Sequence, residues 1–232
     1  MIDSLIGGAL VRGSAGTMTS TNPAQLSDVV AEVSLASADQ LVDAFRAASA
    51  AQPAWADTPA PVRGRVIAQI GRLVEANADA LAQLIVREVG KPLAEARGEV
   101  QEIVDTCDFF LGEGRRLYGQ TVPSEMRDKQ LFTFRVPVGV AGIITAGNFP
   151  VAVPSWYVVP ALLCGNAVVW KPAEYAAALG DALTRLFVAG GLPPGVLNTV
   201  HADGPTTYDA LALALDQGLV HKVGFTGSGT RR

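Results

Sequence analysis

With 232 residues the chain has room for one large domain or two modest ones, and 49% hydrophobic against 17% charged residues excludes a disordered polymer. Its 18 Lys and Arg set against 22 Asp and Glu give a net charge of -4 without a basic run, so no nucleic-acid partner is expected. The 2 cysteines, Cys107 and Cys164, exclude a disulfide framework and a zinc site built on paired CxxC motifs. They suit a reducing, cytoplasmic compartment, and no metal site is expected.

Residues 1–10 carry Asp3 where an export signal would carry Lys or Arg, and Gly7 and Gly8 break the apolar stretch. From 3 to 35 short apolar pairs alternate with Gly, Ser and Thr around an Asn22-Pro23 turn, a pattern of short strands and hairpins. Ser37 and Gln40 fit a capping box, and Leu41, Val42, Phe45 and Ala48 follow at helical spacing up to Pro53. Thr58 before Pro59 starts a second helix, with Val62, Val66, Ile70, Leu73 and Val74 on one stripe. Asn77 is placed to cap a third, ending at Gly90, and Val100, Ile103, Val104, Cys107 and Phe110 mark a fourth that closes within 112–119. Residues 120–135 read as an extended arm bearing Leu131, Phe132 and Phe134.

Residues 136–170 contain no charged side chain and are long enough to span a membrane. Pro137, Gly139, Gly142, Gly147, Pro150, Pro154, Pro160 and Gly165 cut that stretch into pieces too short for a spanning helix, so no membrane partner is expected. Apolar runs at 138–144, 167–170, 196–200 and 220–225 instead alternate with helical patterns at 155–164, 176–190 and 206–216. That alternation predicts an α/β fold with an incomplete parallel, nucleotide-binding (Rossmann-like) sheet. The expected organisation is 1–119 for N-terminal strands and helices, 120–136 for the arm, and 137–232 for the sheet. Only residues 226–232 follow the fourth strand, so the helix that would cover it is expected to be missing.

Ligands of open parallel sheets sit beyond the carboxyl ends of the strands. The residues there are Thr145, Gly147, Asn148, Phe149 and Pro150; Lys171 and Glu174; His201; and Thr226, Gly227 and Ser228. They supply a side-chain amide, a Lys and Glu three apart, and a Gly-Ser loop able to approach phosphate oxygens, the outline of a dinucleotide site. Plainer readings stand beside these: Asn before Phe-Pro as a turn former, Lys171 as a solvated strand end, Gly227-Ser228 as a simple loop. His201 reads as a solvated loop histidine or a flank of the adenine, and His221 as structural.

Asn148-Phe149-Pro150, then Gly165-Asn166 followed by Val168-Val169-Trp170-Lys171-Pro172-Ala173-Glu174, then Gly224-Phe225-Thr226-Gly227-Ser228, resemble the aldehyde dehydrogenase superfamily in order and spacing. Asn22-Pro23-Ala24, Gly90-Lys91-Pro92 and residues 119–123 resemble its N-terminal half, so the likeness covers nearly the whole chain. The resemblance implies that Asn148 helps form an oxyanion hole and that Lys171 and Glu174 hold the adenosine ribose of NAD, with NADP disfavoured. It also implies that Gly227 and Ser228 meet the pyrophosphate, with Thr145 in the same cofactor set. In the family a cysteine thiolate attacks the aldehyde, the thiohemiacetal gives hydride to NAD, and a Glu-activated water releases the acid.

Neither cysteine matches the family nucleophile, so the chain corresponds to an N-terminal portion and is expected to be inactive alone. About ten residues of helix, roughly 14 Å, separate Ser155 from Cys164, too far to share a carbonyl with Asn148. Residues 98–102 and 117–124 resemble the aminoadipic semialdehyde dehydrogenase branch, and 120–135 resembles the family's oligomerisation arm, implying a homo-oligomer. Two departures stand out: Gly147 where the family usually has an aromatic residue, and Arg232 where it typically has Gly. An acylating or glutamyl-phosphate-reducing relative on the same fold, and a non-catalytic module binding a partner subunit through the arm, are the other classes open.

Overall fold

The computed structural model describes residues 1–227. The N-terminal segment folds as β1 (Ser4–Ile6), β2 (Ala9–Val11), β3 (Thr17–Asn22) and β4 (Gln25–Ser34), followed by helices α1 (Ala38–Asp57), α2 (Ala60–Ala76), α3 (Ala78–Val89) and α4 (Leu93–Glu113). The arm is a short antiparallel hairpin, β5 (Thr121–Val122) with β6 (Leu131–Phe132). Then come β7 (Val140–Ile144), α5 (Ala152–Leu163), β8 (Ala167–Lys171), a 3-10 turn at Glu174–Ala176, α6 (Ala177–Ala189), β9 (Leu197–Thr199), α7 (Gly204–Asp216) and β10 (Lys222–Phe225).

The strands join in the order β10-β7-β8-β9-β1-β2. The first four are parallel, as the alternation with helices demands, but β1 pairs antiparallel with β9 and with β2. The sheet is therefore mixed rather than purely parallel. Asn198 makes this junction: its Oδ1 accepts from the Gly7 amide at 2.7 Å, anchoring the β1–β2 turn. Strands β3 and β4 form a separate hairpin, whose turn is closed by the Ala24 amide donating to Asn22 Oδ1.

Alternate residues of the central strands face opposite layers. Val169 packs with Leu41, Phe45 and Ala210 under α1 and α7, whereas Val168 and Trp170 pack with Ile103, Val159, Leu163 and Leu183 under α4, α5 and α6. Burial on both faces explains why these strands read as continuous apolar runs.

The Ser37 capping box is present, with Gln40 closing it reciprocally. Helix α1 does not stop at Pro53. Beyond that proline the Trp55 indole donates to the Leu162 carbonyl at 2.8 Å, and the Arg63 guanidinium donates to the carbonyls of Ala56 and Thr58. Tertiary bonds thus offset the backbone bond that proline removes. Asn77 sits at the start of α3, but its side chain caps nothing there; Nδ2 donates backward to the Leu73 carbonyl. Gly90 ends α3 at φ 73°, a left-handed turn that favours glycine.

Candidate functional site

The order β9-β8-β7-β10 sets the chain's direction of travel. From β7 it proceeds outward through β8 and β9, then returns to place β10 on the other flank of β7. A reversal of this kind opens a crevice at the strand ends, the usual ligand position in such sheets. Residues 145–150 after β7 and Thr226 after β10 border it, and the Lys171 end of β8 adjoins it. Thr226 ties the two flanks: its amide donates to the Ile144 carbonyl at 3.0 Å, and its Oγ1 accepts from the Ala146 amide at 3.3 Å.

Lys171 is not a solvated strand end. Its side chain is 8% exposed, and Nζ lies 2.7 Å from Glu174 Oε1, while Glu174 remains 27% exposed. The pair leaves Glu174 Oε2 for an outside donor. A small cleft beside Lys171 is lined by Ile144, Thr207 and Leu211, giving the crevice an apolar wall on the α7 side. Thr145 is buried at the floor, where its Oγ1 accepts from the Trp170 indole at 3.0 Å. Gly227 is exposed, and Ser228 lies outside the described residues.

Asn148 is exposed at the crevice rim on a loop held from three sides. On one side Tyr175 packs against Gly147, where a Cβ would fall 2.3 Å from the ring. On the next, Lys91 Nζ sits 3.7 Å above the centre of the Phe149 ring. Beneath, the fully buried Glu99 carboxylate accepts from the Val151 amide at 2.7 Å and the Ala152 amide at 3.2 Å, and takes Lys91 Nζ at 2.5 Å on its other oxygen. An anion at the first turn of α5 is favoured by the free amides and by the helix dipole.

The β8 loop has a parallel device. Buried Glu88 of α3 accepts from the amides of Ala178 and Leu179 at the start of α6, both at 2.9 Å, and from Ser20 Oγ at 2.8 Å. Burial pushes its pKa up, while these three hydrogen bonds pull it down. Neither glutamate was singled out from sequence as a support for these loops. The available signal was an acid on an apolar stripe: Glu99 falls between Ala96 and Ile103 on the buried face of α4, and Glu88 lies three residues after Ile85 on that of α3.

The other sequence candidates fall away from the rim. His201 is buried rather than solvated, and burial lowers its pKa to about 4, so it is neutral at pH 7. His221 Nδ1 accepts from the Val140 amide at 3.1 Å, a structural bond at the base of β7. Cys107 is buried against Gly71, and burial pushes its thiol up to about 12. Cys164 follows the last turn of α5, the end remote from Asn148, and burial raises its pKa although Arg63 and Arg135 oppose the shift. Among the described residues no cluster of three metal-ligating side chains occurs, and no helix is long and apolar enough to cross a membrane.

A family model described as the aldehyde dehydrogenase family matches residues 10–231. The chain is 38% identical over 226 residues to an alpha-ketoglutaric semialdehyde dehydrogenase of Bacillus subtilis strain 168, covering 97% of this chain and 46% of that protein. It is 40% identical to the aldehyde dehydrogenase family 7 member A1 of Pisum sativum, over 91% of this chain and 42% of that protein. A solved NAD-dependent aldehyde dehydrogenase from Sinorhizobium meliloti superposes with a TM-score of 0.92 at 34% identity, covering 98% of this chain and 45% of that one. The chain spans about half the length of the curated relatives it matches. Sequence and fold agree: this chain belongs to the aldehyde dehydrogenase family.

Proposed function

We propose that this chain is the dinucleotide-binding, oxyanion-bearing portion of an NAD-dependent enzyme that oxidises an aldehyde to an acid. The observation that carries the reading is the Lys171–Glu174 ion pair beside the exposed Asn148 loop, at the point where the strand order reverses. NAD, when bound, accepts a hydride. The chain's own residues bind and orient it: Glu174 Oε2 accepts from the ribose hydroxyls, Lys171 fixes the rotamer of Glu174 and donates to the same ribose, and Gly227 faces the pyrophosphate. Asn148 donates its amide hydrogens to the aldehyde oxygen as negative charge develops there.

In the whole protein the substrate is an aldehyde, and the likeness to an alpha-ketoglutaric semialdehyde dehydrogenase supports a semialdehyde. The exposed Phe132 and Phe134 of the arm suit a homo-oligomeric contact, and two free cysteines suit the cytoplasm. Calorimetric titration with both cofactors tests the site. NAD is expected to bind about tenfold tighter than NADP, because a 2'-phosphate would lie against the Glu174 carboxylate. Glu174→Gln is expected to narrow that margin. Equal or tighter binding of NADP by the unmutated chain contradicts the assignment.

A further inference from the structure

Gly147 and Tyr175 belong to different strand-end loops, yet they touch. A Cβ on Gly147 would lie 2.3 Å from Tyr175 Cε2, 2.8 Å from Cζ and 3.0 Å from Cδ2, so any side chain grown from residue 147 would enter the volume the ring now fills. The absence of a side chain at 147 is what admits the ring. Only one edge of Tyr175 is used in this contact: the residue stays 51% exposed, whereas its neighbour Ala176 is buried. The exposed ring is also fixed at its base, since Glu174 before it is paired with Lys171 and α6 after it is capped by Glu88. A half-exposed aromatic residue thus bridges the Asn148 loop and the Glu174 loop beside the crevice.

A large apolar ring left in water at a fixed position is a platform for another flat or apolar group. Its place between Asn148 and Glu174 specifies which group. A ligand held by its ribose at Glu174 and reacting beside Asn148 must pass over the Gly147–Tyr175 contact on the way. We infer that Tyr175 is a positioning residue that packs against the nicotinamide-ribose half of the bound dinucleotide, a role that Gly147 makes possible by leaving the space open. The inference rests on the dinucleotide reading above. It assigns the work to the ring and none to the hydroxyl.

The test is calorimetric titration of the chain and of Tyr175→Phe, Tyr175→Leu and Tyr175→Ala with NAD and with AMP, alongside a thermal melt of each. Tyr175→Ala is expected to weaken NAD about fivefold and to leave AMP unchanged, since AMP ends before the platform. Tyr175→Phe is expected to match the unmutated chain. Tyr175→Leu still covers Gly147, so it should keep the melting temperature yet lose NAD affinity, which a purely structural role would not produce. The paired change Gly147→Phe with Tyr175→Ala, which supplies a ring to the same volume from the other loop, is expected to recover most of the loss. Unchanged NAD affinity in both the Leu and Ala variants, or an equal loss for AMP, overturns the inference while Glu174-sensitive binding keeps the wider reading. Failure of the unmutated chain to bind either ligand overturns both.

Discussion

No NADH is expected from this chain with any aldehyde, however long the incubation. An aldehyde is a poor hydride donor until a nucleophile adds to its carbonyl, and the family's nucleophile is a thiolate placed beside the oxyanion amide. Cys107 cannot serve, since it is buried in α4 with its pKa pushed up to about 12. Cys164 is a more serious rival because it is partly exposed. It follows α5, however, whose 12 residues begin at Ala152, just after the Asn148 loop. A helix of that length separates its two ends by about 18 Å, against the roughly 3 Å that attack requires. Burial also disfavours its thiolate. Assaying NADH formation from aliphatic, aromatic and semialdehyde substrates, with Cys164→Ala in parallel, checks this. Turnover that disappears in the Cys164→Ala variant contradicts the placement of the thiol.

Replacing Glu99 by alanine is expected to destabilise the chain by about 3–5 kcal/mol, the range for removing one member of a buried ion pair. The loss is large because three partners are stranded together. Lys91 Nζ loses its counter-charge in a site where its side chain is only 10% exposed, and the amides of Val151 and Ala152 lose their acceptor under a buried helix start. For a chain of this size the melting temperature should fall by roughly 10 °C. Glu99→Gln keeps an oxygen for the two amides and weakens only the Lys91 contact, so a smaller loss is expected. Chemical denaturation of both variants reads the difference. Equal stability of Glu99→Ala and the unmutated chain would mean that the α5 start is held by other contacts.

These two expectations draw on different depths of the sequence. The distance from Asn148 to Cys164 was legible beforehand, because helix length follows from residue count and the apolar run ending at Cys164-Gly165 marks where α5 stops. Strands β7, β8 and β9 were legible too, since residues buried on both faces leave an uninterrupted apolar run. The antiparallel attachment of β1 to β9 was not. Three-residue strands carry little pattern, and the pairing is fixed by Asn198 reaching across 191 positions to Gly7. Helix α1 outran Pro53 for a similar reason: the bonds that sustain its last turn come from Trp55, α2 and the end of α5, not from local propensity.

Within the site, the residues at strand ends were legible because their position alone exposes them to a ligand. The residues that hold those loops were not. Glu88 and Glu99 act from the N-terminal helices, and Lys91 from the turn between them, through contacts that span 52 to 91 positions, and a periodicity reading treats charged residues on a helix as solvent-facing. The displaced aromatic shows the same limit. Gly147 looked like a missing ring in one loop, whereas the ring that fills the space comes from Tyr175 in the next.

The most direct measurement is a map of where a dinucleotide touches the chain. Titrating NAD into isotopically labelled protein and following backbone amide shifts should move residues 145–148, Lys171 to Glu174, Tyr175 and Gly227, while His221 and the hairpin around Asn22 stay still. Shifts confined to the arm or to the β3–β4 hairpin, or no shifts at saturating NAD, would contradict a dinucleotide site at the ends of β7, β8 and β10.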